Sequence, residues 1–326
     1  PIIFGIGNPL IDVVINATEE DIVRLELSKG TMALVDSKRQ GEILNYYKKK
    51  TPNYFPGGSA PNTLLACSGL GIKSHISGKI GNDLLGEIYL ERVREYGTDS
   101  GIVLGEGPTG SSIILVTPDG ERTMNTNLGM CQKYAAEDID EEKLSKAKFF
   151  YFTGYMWDTD SQKSAIKKAI QIAKENNVKI VFDVADPFAV NRNKDSFLQL
   201  IKHDIDILFA NKSELKILMD SEDLDFCIEN LKKVVKNFGI KLGKDGSTIF
   251  NDNEKYVIEP SPVLAKDTTG AGDMYAAGFL ASLAKGNNYE SAGKVAVKLA
   301  EEVIQIQGAQ FNIHVIRRLG KSLNEI

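Results

Sequence analysis

Near the C-terminus, Lys266-Asp267-Thr268-Thr269-Gly270-Ala271-Gly272-Asp273 sets two carboxylates around a run of small residues. The residues that follow, Met274-Tyr275-Ala276-Ala277-Gly278-Phe279-Leu280, read as a helix with an apolar face, so Gly270-Ala271-Gly272 lies at its N-terminus. Backbone N–H groups there have no intrahelical acceptor and meet the positive end of the helix dipole. Small side chains allow close approach, and an anion such as phosphate suits the place. Asp273, in the first turn, is positioned to take a proton from an incoming hydroxyl while the amides stabilise charge on a transferring group. A capped helix after a flexible turn is the simpler reading of a G-A-G-D run alone. The full D-T-T-G-A-G-D spacing favours chemistry.

Other stretches carry weaker signals. Pro56-Gly57-Gly58-Ser59 opens a helix that bears Asn62, with Ser59 the expected N-cap. Asn211-Lys212-Ser213-Glu214 reads by itself as a capped helix start, with positions i and i+3 on one face. Leu242-Gly243-Lys244-Asp245-Gly246 is a second glycine loop, and only Ile240-Lys241-Leu242 precedes it as an apolar run. That is short for a central strand. Gly5-x-Gly7 hints at a dinucleotide fingerprint, but the third glycine is missing and Pro9 falls where a helix should run.

These residues need a scaffold. The 326 residues suffice for one large domain with insertions or for two of ordinary size, and 42% hydrophobic with 25% charged content is that of a globular chain. A net charge of -5 provides no general basic field for nucleic acid or anionic lipid. No apolar run approaches the ~20 residues that span a bilayer, and the N-terminus lacks a signal-peptide layout. Cys67, Cys131 and Cys227 are odd in number and widely spaced, which argues against a disulfide framework and suits a reducing cytoplasm.

Strand and helix patterns alternate through much of the chain. Ile2–Ile6, His75–Lys79, Ala147–Phe152, Ile180–Val184 and Ile205–Phe209 read as strands, with helical stretches such as Asp83–Glu95 and Ser161–Asn176 between. This predicts an α/β fold, a three-layer α/β/α domain around a mainly parallel sheet. Residues 12–36 and 107–127 break the rhythm; the latter holds a hairpin around Pro118-Asp119-Gly120. They are expected to pair as a small β lid, leaving 1–11, 37–106 and 128–326 as the large domain.

D-T-T-G-A-G-D resembles the C-terminal signature of the ribokinase (PfkB carbohydrate kinase) family. Gly57-Gly58-Ser59-Ala60-Pro61-Asn62 is similar to its G-G-x-x-x-N substrate loop, Asn211–Glu214 to its N-x-x-E element, and Leu242–Gly246 to its nucleotide-side loop. These motifs fall in family order over nearly the whole chain. The resemblance implies a ribokinase-like fold and phosphoryl transfer from ATP with Mg²⁺. It makes Asp273 the base and Gly270, Ala271 and Gly272 the hole for the γ-phosphate. It places Asn211 and Glu214 at Mg²⁺ through water, and Asn211, Leu242, Gly243, Gly246, Asp267 and Thr268 on the nucleotide side.

The opening string Gly5-Ile6-Gly7-Asn8-Pro9-Leu10-Ile11-Asp12 is similar to the G-N-P-L-x-D start of the adenosine kinases within that family. This implies a purine nucleoside as acceptor, with Asn8, Asp12, Gly57, Gly58 and Asn62 around its ribose. Tyr155, Trp157, Phe188 and Met124 are candidates for the wall beside the base. Arg122 resembles a lid arginine that approaches ligand, the alternative being a salt bridge within its hairpin. Thr269 stands where adenosine kinases usually carry Asn, and Ser59-Ala60-Pro61-Asn62 where S-T-Q-N is common. Those departures keep a free sugar open as acceptor, and a non-catalytic nucleoside or sugar sensor is the rival from another class. Small molecules are the expected partners, in a monomer or homodimer.

Overall fold

The computed structural model describes residues 1–322. Its strands, in chain order, are β1 (Ile3–Ile6), β2 (Leu10–Asn16), β3 (Met32–Leu34), β4 (Asn53–Gly57), β5 (Ser74–Gly81), β6 (Asp99–Gly105), β7 (Ser111–Val116), β8 (Arg122–Asn127), β9 (Phe149–Thr153), β10 (Lys179–Asp183), β11 (Ile207–Asn211), β12 (Asn237–Lys241), β13 (Ser247–Asn251) and β14 (Glu254–Ile258). Nine of them form one sheet in the order β14-β13-β12-β11-β10-β9-β1-β5-β6. It is parallel from β12 to β6, and only β13 and β14 join antiparallel. Strands such as Phe149–Thr153 are buried along their whole length, as a sheet covered on both faces requires.

Two apolar clusters cover the two faces. One joins Leu64 and Leu65 to Phe279, Leu280 and Leu299 of the helices Ser59–Gly69, Ala271–Ala284 and Tyr289–Val303. The other gathers Phe150, Phe152 and Phe182 under the helices Asp160–Glu175 and Pro187–His203. The layered α/β/α expectation describes this architecture.

The remaining five strands make the small sheet, in the order β3-β8-β7-β2-β4. β7 and β8 are the antiparallel hairpin predicted from the Pro118-Asp119-Gly120 turn. The segment boundaries differ from expectation in two places, the first being that β2 begins at Leu10, so that Leu10 and Ile11 belong to the small sheet. β4 pairs antiparallel with β2, Leu10 opposite Gly57, so residues 53–57 belong to the small sheet and not to the large domain. Residues 12–36 also hold a short helix, Glu19–Arg24, closed at its start by a Thr18–Asp21 capping box. In the sequence Pro56 and Gly57 mask the alternation of β4.

The path of the chain decides where the site lies. It leaves the large sheet at the end of β1 and enters the small one at β2 through Gly7-Asn8-Pro9; it returns from β4 through Gly57-Gly58. The two crossings touch. Gly58 has φ +96°, and a Cβ there would fall 2.0 Å from the Asn8 carbonyl oxygen, so only glycine fits.

The helix Ala271–Ala284 is buried on nearly every side and crosses Tyr289–Val303 closely. A Cβ on Gly278 would sit 2.8 Å from the Val295 carbonyl oxygen and 2.9 Å from Ala296 Cα. Gly278→Val is expected to push the two helices apart and to cost about 1–3 kcal/mol, as overpacking typically does. A urea midpoint equal to that of the wild type would refute this.

Candidate active site

The parallel strands β9 to β12 end along one line, and the helix start at Gly270 faces it, as ligand sites in open α/β sheets do. Between this line and the small sheet lies a cavity of about 360 Å³. Asn8, Asp12, Gly58, Ser59, Tyr155, Asp158 and Thr268 through Asp273 form its polar side. Leu10, Met32, Leu34, Ile114, Met124 and Leu128 form its apolar side, mostly from the small sheet.

Gly270 is the N-cap of the helix, with φ +79°, and a Cβ there would lie 2.7 Å from Ala309 Cα. Position and crowding both demand glycine. Asp273 is partly buried at this helix start. Ser59 Oγ donates to its Oδ1 at 2.6 Å and Asn62 Nδ2 to its Oδ2 at 2.9 Å. Burial pushes the Asp273 carboxyl up to about 6, and those two hydrogen bonds oppose the rise. A carboxylate poised there can accept a proton near neutral pH.

The helix that presents Ser59 begins differently from expectation. Gly58 is its N-cap and makes no side-chain cap bond. Ser59, freed from capping, bonds Asp273 instead. Asn62 was expected to face the substrate; it is buried and lies outside the cavity wall. Its Oδ1 accepts from Gln310 Nε2 at 2.7 Å while its amide donates to Asp273. It therefore orients the carboxylate. Gly57 also lies beneath the wall: a Cβ there would meet Asp12 Oδ2 at 2.6 Å.

Asp12 lines the cavity, and among the described residues no group hydrogen-bonds its carboxylate. Burial pushes it up to about 7, the Arg122 charge opposing and the Asp273 charge adding to the rise. Asn8 is buried and accepts from Gln162 Nε2 at 2.7 Å, which fixes its amide. Tyr155 reaches the cavity with its hydroxyl tied to Asp186 at 3.0 Å. Met124 lines the cavity as well. Phe188 and Trp157 do not. Phe188 is exposed, and Trp157 is buried edge-on against Phe197. The wall is aliphatic and thioether, with Tyr155 its one aromatic.

Asp267 holds the loop before the helix. Its carboxylate accepts from Thr269 N–H at 2.9 Å, Thr269 Oγ1 at 2.6 Å and Gly308 N–H at 2.9 Å. Against the effect of burial, these bonds keep it below the usual carboxylate range. Arg122 comes across from β8 to this same loop. Its Nη1 lies 3.2 Å from Asp267 Oδ1 and also donates to Thr269 Oγ1. The arginine therefore ties the small sheet to the loop before that helix and does not close a salt bridge within its own hairpin.

Asn211 and Glu214 form a reciprocal capping box. Asn211 N–H and Nδ2 donate to the two Glu214 oxygens at 2.7 and 2.8 Å. Both carboxylate oxygens are thus engaged, and among the described residues no group of three or more His, Cys, Asp or Glu could hold a metal ion. The pair suits an outer-sphere cation, reached through water, better than direct ligation. Burial pushes Glu214 up to about 7, with the Lys241 charge opposing. Leu242, Gly243 and Gly246 lie outside the cavity, in the turn from β12 to β13. Gly243 is open: nothing approaches within 4 Å of a Cβ built there, whereas one on Gly246 would fall 2.1 Å from the Ile258 carbonyl oxygen.

Lys241, Asp183 and Gln310 went unnoticed in the sequence. Lys241 ends β12, and its ammonium meets Asp183 at 2.9 and 3.1 Å. This explains the short apolar run before Gly243. The strand is Asn237–Lys241, its middle residue Gly239 leaves room for the Tyr275 hydroxyl, and its last residue is a charged end. A lysine inside an apolar run was the available signal.

The fold is that of the ribokinase-like kinases. The model of the pfkB family carbohydrate kinases matches residues 34–316, and the chain belongs to that family. Such enzymes are ATP-using phosphotransferases with hydroxyl acceptors. The chain is similar to an adenosine kinase from Sinorhizobium meliloti, with TM-score 0.90 and 32% identity over 99% of this chain and 98% of that one. It is also similar to a probable sugar kinase from Rhizobium etli CFN 42, with TM-score 0.92 and 30% identity over 99% and 98%. The adenosine kinase of Schizosaccharomyces pombe is 26% identical over 94% of this chain and 95% of its own length. No helix among the described residues is long and apolar enough to cross a membrane, and Cys67, Cys131 and Cys227 are free and buried.

The Asp12 carboxyl carries a testable sign. Between the ordinary carboxylate range and about pH 7 the folded chain holds a proton there that the unfolded chain releases. Stability therefore falls as pH rises through that window. Asp12→Asn removes the penalty, so its melting temperature should exceed that of the wild type at pH 8, with the gap closing toward pH 4. A gap independent of pH would rule out the buried-carboxyl account.

Proposed function

We propose that this kinase transfers the γ-phosphoryl group of ATP to the 5′-hydroxyl of adenosine or a related purine nucleoside. One observation carries the reading: the Asp273 carboxylate and the unpartnered Asp12 carboxylate line the same cavity, whose far side is apolar. A ribose between the two carboxylates would give hydroxyls to Asp12 and Asn8 and turn its hydroxymethyl group toward Asp273. The flat base would then rest between Tyr155 and the side chains of Met32, Leu34, Ile114 and Met124. A site built to hydrogen-bond hydroxyls rejects analogues that lack them.

In the reaction, the acceptor oxygen forms a new bond to the γ-phosphorus as the bond from that phosphorus to the bridging oxygen of ADP breaks. The hydroxyl proton passes to Asp273. The N–H groups of Gly270 and Gly272 stabilise charge on the transferring oxygens, while that of Ala271 donates to the Thr268 carbonyl at 3.3 Å. Thr268 and the open backbone at Gly243 would border the nucleotide. Magnesium, organised from Asn211 and Glu214 through water, supplies neutralisation of phosphate charge when bound. The small sheet, tied down by Arg122, excludes water so that phosphate reaches the acceptor.

A free sugar is the second reading, favoured by the likeness to a probable sugar kinase and by Thr269 and Ala60-Pro61. The apolar side of the cavity favours the nucleoside, because a free sugar has nothing to place there. Turnover of a panel of nucleosides and sugars with ATP and Mg²⁺ decides it: sugars phosphorylated and nucleosides untouched would sink the nucleoside. Asp273→Asn is expected to lower kcat on the order of 10²–10⁴-fold, as loss of a general base does. With its carboxyl at about 6, kcat/KM should fall with unit slope as pH drops below that value. A variant with full turnover would remove Asp273 from the role of base.

A further inference from the structure

Lys241 is a charge that the family reading leaves without a task. It closes β12 opposite Asn211 of β11 and reaches across that strand to Asp183 at the end of β10. Strands lie about 4.8 Å apart, so the ammonium crosses the line of strand ends from which Asn211 also projects. Its Nζ stands 3.3 Å from where a Cβ on Gly272 would be. Apart from its two chain neighbours, no other side chain of the described residues comes within 4 Å of that point on the helix start. Asp183 is held in turn by the Ala185 N–H at 3.0 Å, so the lysine is anchored from behind.

Stability alone gives no reason for this pair. The side chains of Lys241 and Asp183 are 15% and 4% exposed. Removing two such charges from water costs about what their attraction returns, and a well-packed apolar pair often does as well. What the pair does provide is a fixed cation beside the small residues of an anion site.

We propose, on the kinase reading above, that Lys241 binds the transferring phosphoryl group of ATP beside Gly272, with Asp183 as its positioning residue. Facing an oxygen that gains charge as the phosphorus–oxygen bond breaks, a preset ammonium contributes more in the transition state than in the ground state. Gly272 must be small for two reasons on this account: its N–H serves the anion, and its missing side chain leaves the path to the ammonium open.

The experiment uses the full chain and three variants: Lys241→Met, Asp183→Asn and the two combined. Lys241→Met is expected to lower kcat on the order of 10²–10³-fold, the usual loss for one preset charge-stabilising donor, and to leave the acceptor KM within about threefold. Asp183→Asn loosens the lysine without removing it and should lose less. The combined variant leaves no unpaired buried charge, so it protects the test against misfolding, and melting curves verify this. If Lys241 only balances Asp183, the combined variant recovers wild-type kcat, and the proposal falls. If it binds the phosphoryl group, the combined variant stays as slow as Lys241→Met. Calorimetric titration of ATP and AMP separates this inference from the kinase reading. Even if no acceptor in the panel is phosphorylated, which would count against that reading alone, Lys241→Met should weaken ATP at least tenfold and spare AMP. Equal weakening of both, or of neither, overturns the role of Lys241.

Discussion

The Asp273 carboxylate, clamped by Ser59 and Asn62, is the contact on which the site depends. It binds the first turn of one buried helix to the first turn of another, from segments about two hundred residues apart in the chain. Both helices start on glycines in the left-handed or crowded conformations that only glycine tolerates. Shifting either start would undo the hydrogen bonds that hold the Asp273 carboxylate. The close crossing at Gly278 fixes the depth of the second helix, so packing far from the cavity sets geometry within it.

The second constraint is that the chain passes between its two sheets beside this clamp. Asn8 and Gly58 sit on adjacent crossings, which makes the acceptor side a seam between the sheets and not a pocket in either. Arg122 spans the same seam from the other side and ends on Asp267 and Thr269. The small sheet is therefore joined by direct contact to the loop before the helix Ala271–Ala284. Asp12, on the first strand past the crossing, belongs to the small sheet.

Much of this was legible along the chain, because the signals are local. Alternating patterns announced the parallel sheet, the Pro118-Asp119-Gly120 turn announced the hairpin, and the spacing of Asp267 to Asp273 announced a helix start with a carboxylate in its first turn. What misled was a side chain whose partner is distant. Ser59 has the type and place of an N-cap, yet its hydroxyl is taken by Asp273. Asn62 sits in a substrate motif, yet its amide is used between Asp273 and Gln310. Phe188 and Trp157 are aromatic at strand ends, and one turns to solvent while the other fills the core. The wall was built instead from Met32, Leu34 and Ile114, whose strands read as ordinary buried sheet.

The sequence by itself determined the family, since the D-T-T-G-A-G-D string and the other motifs that resemble the family's are runs of adjacent residues. It determined the layered fold for the same reason, through the period of its apolar residues. Only the tertiary structure decided which groups surround that helix start. The pairing of Lys241 with Asp183, the tie from Arg122 to Asp267, and the inclusion of β4 in the small sheet join segments from 39 to 145 positions apart. Such contacts depend on how strands are ordered and where the chain crosses between sheets, which no local pattern encodes.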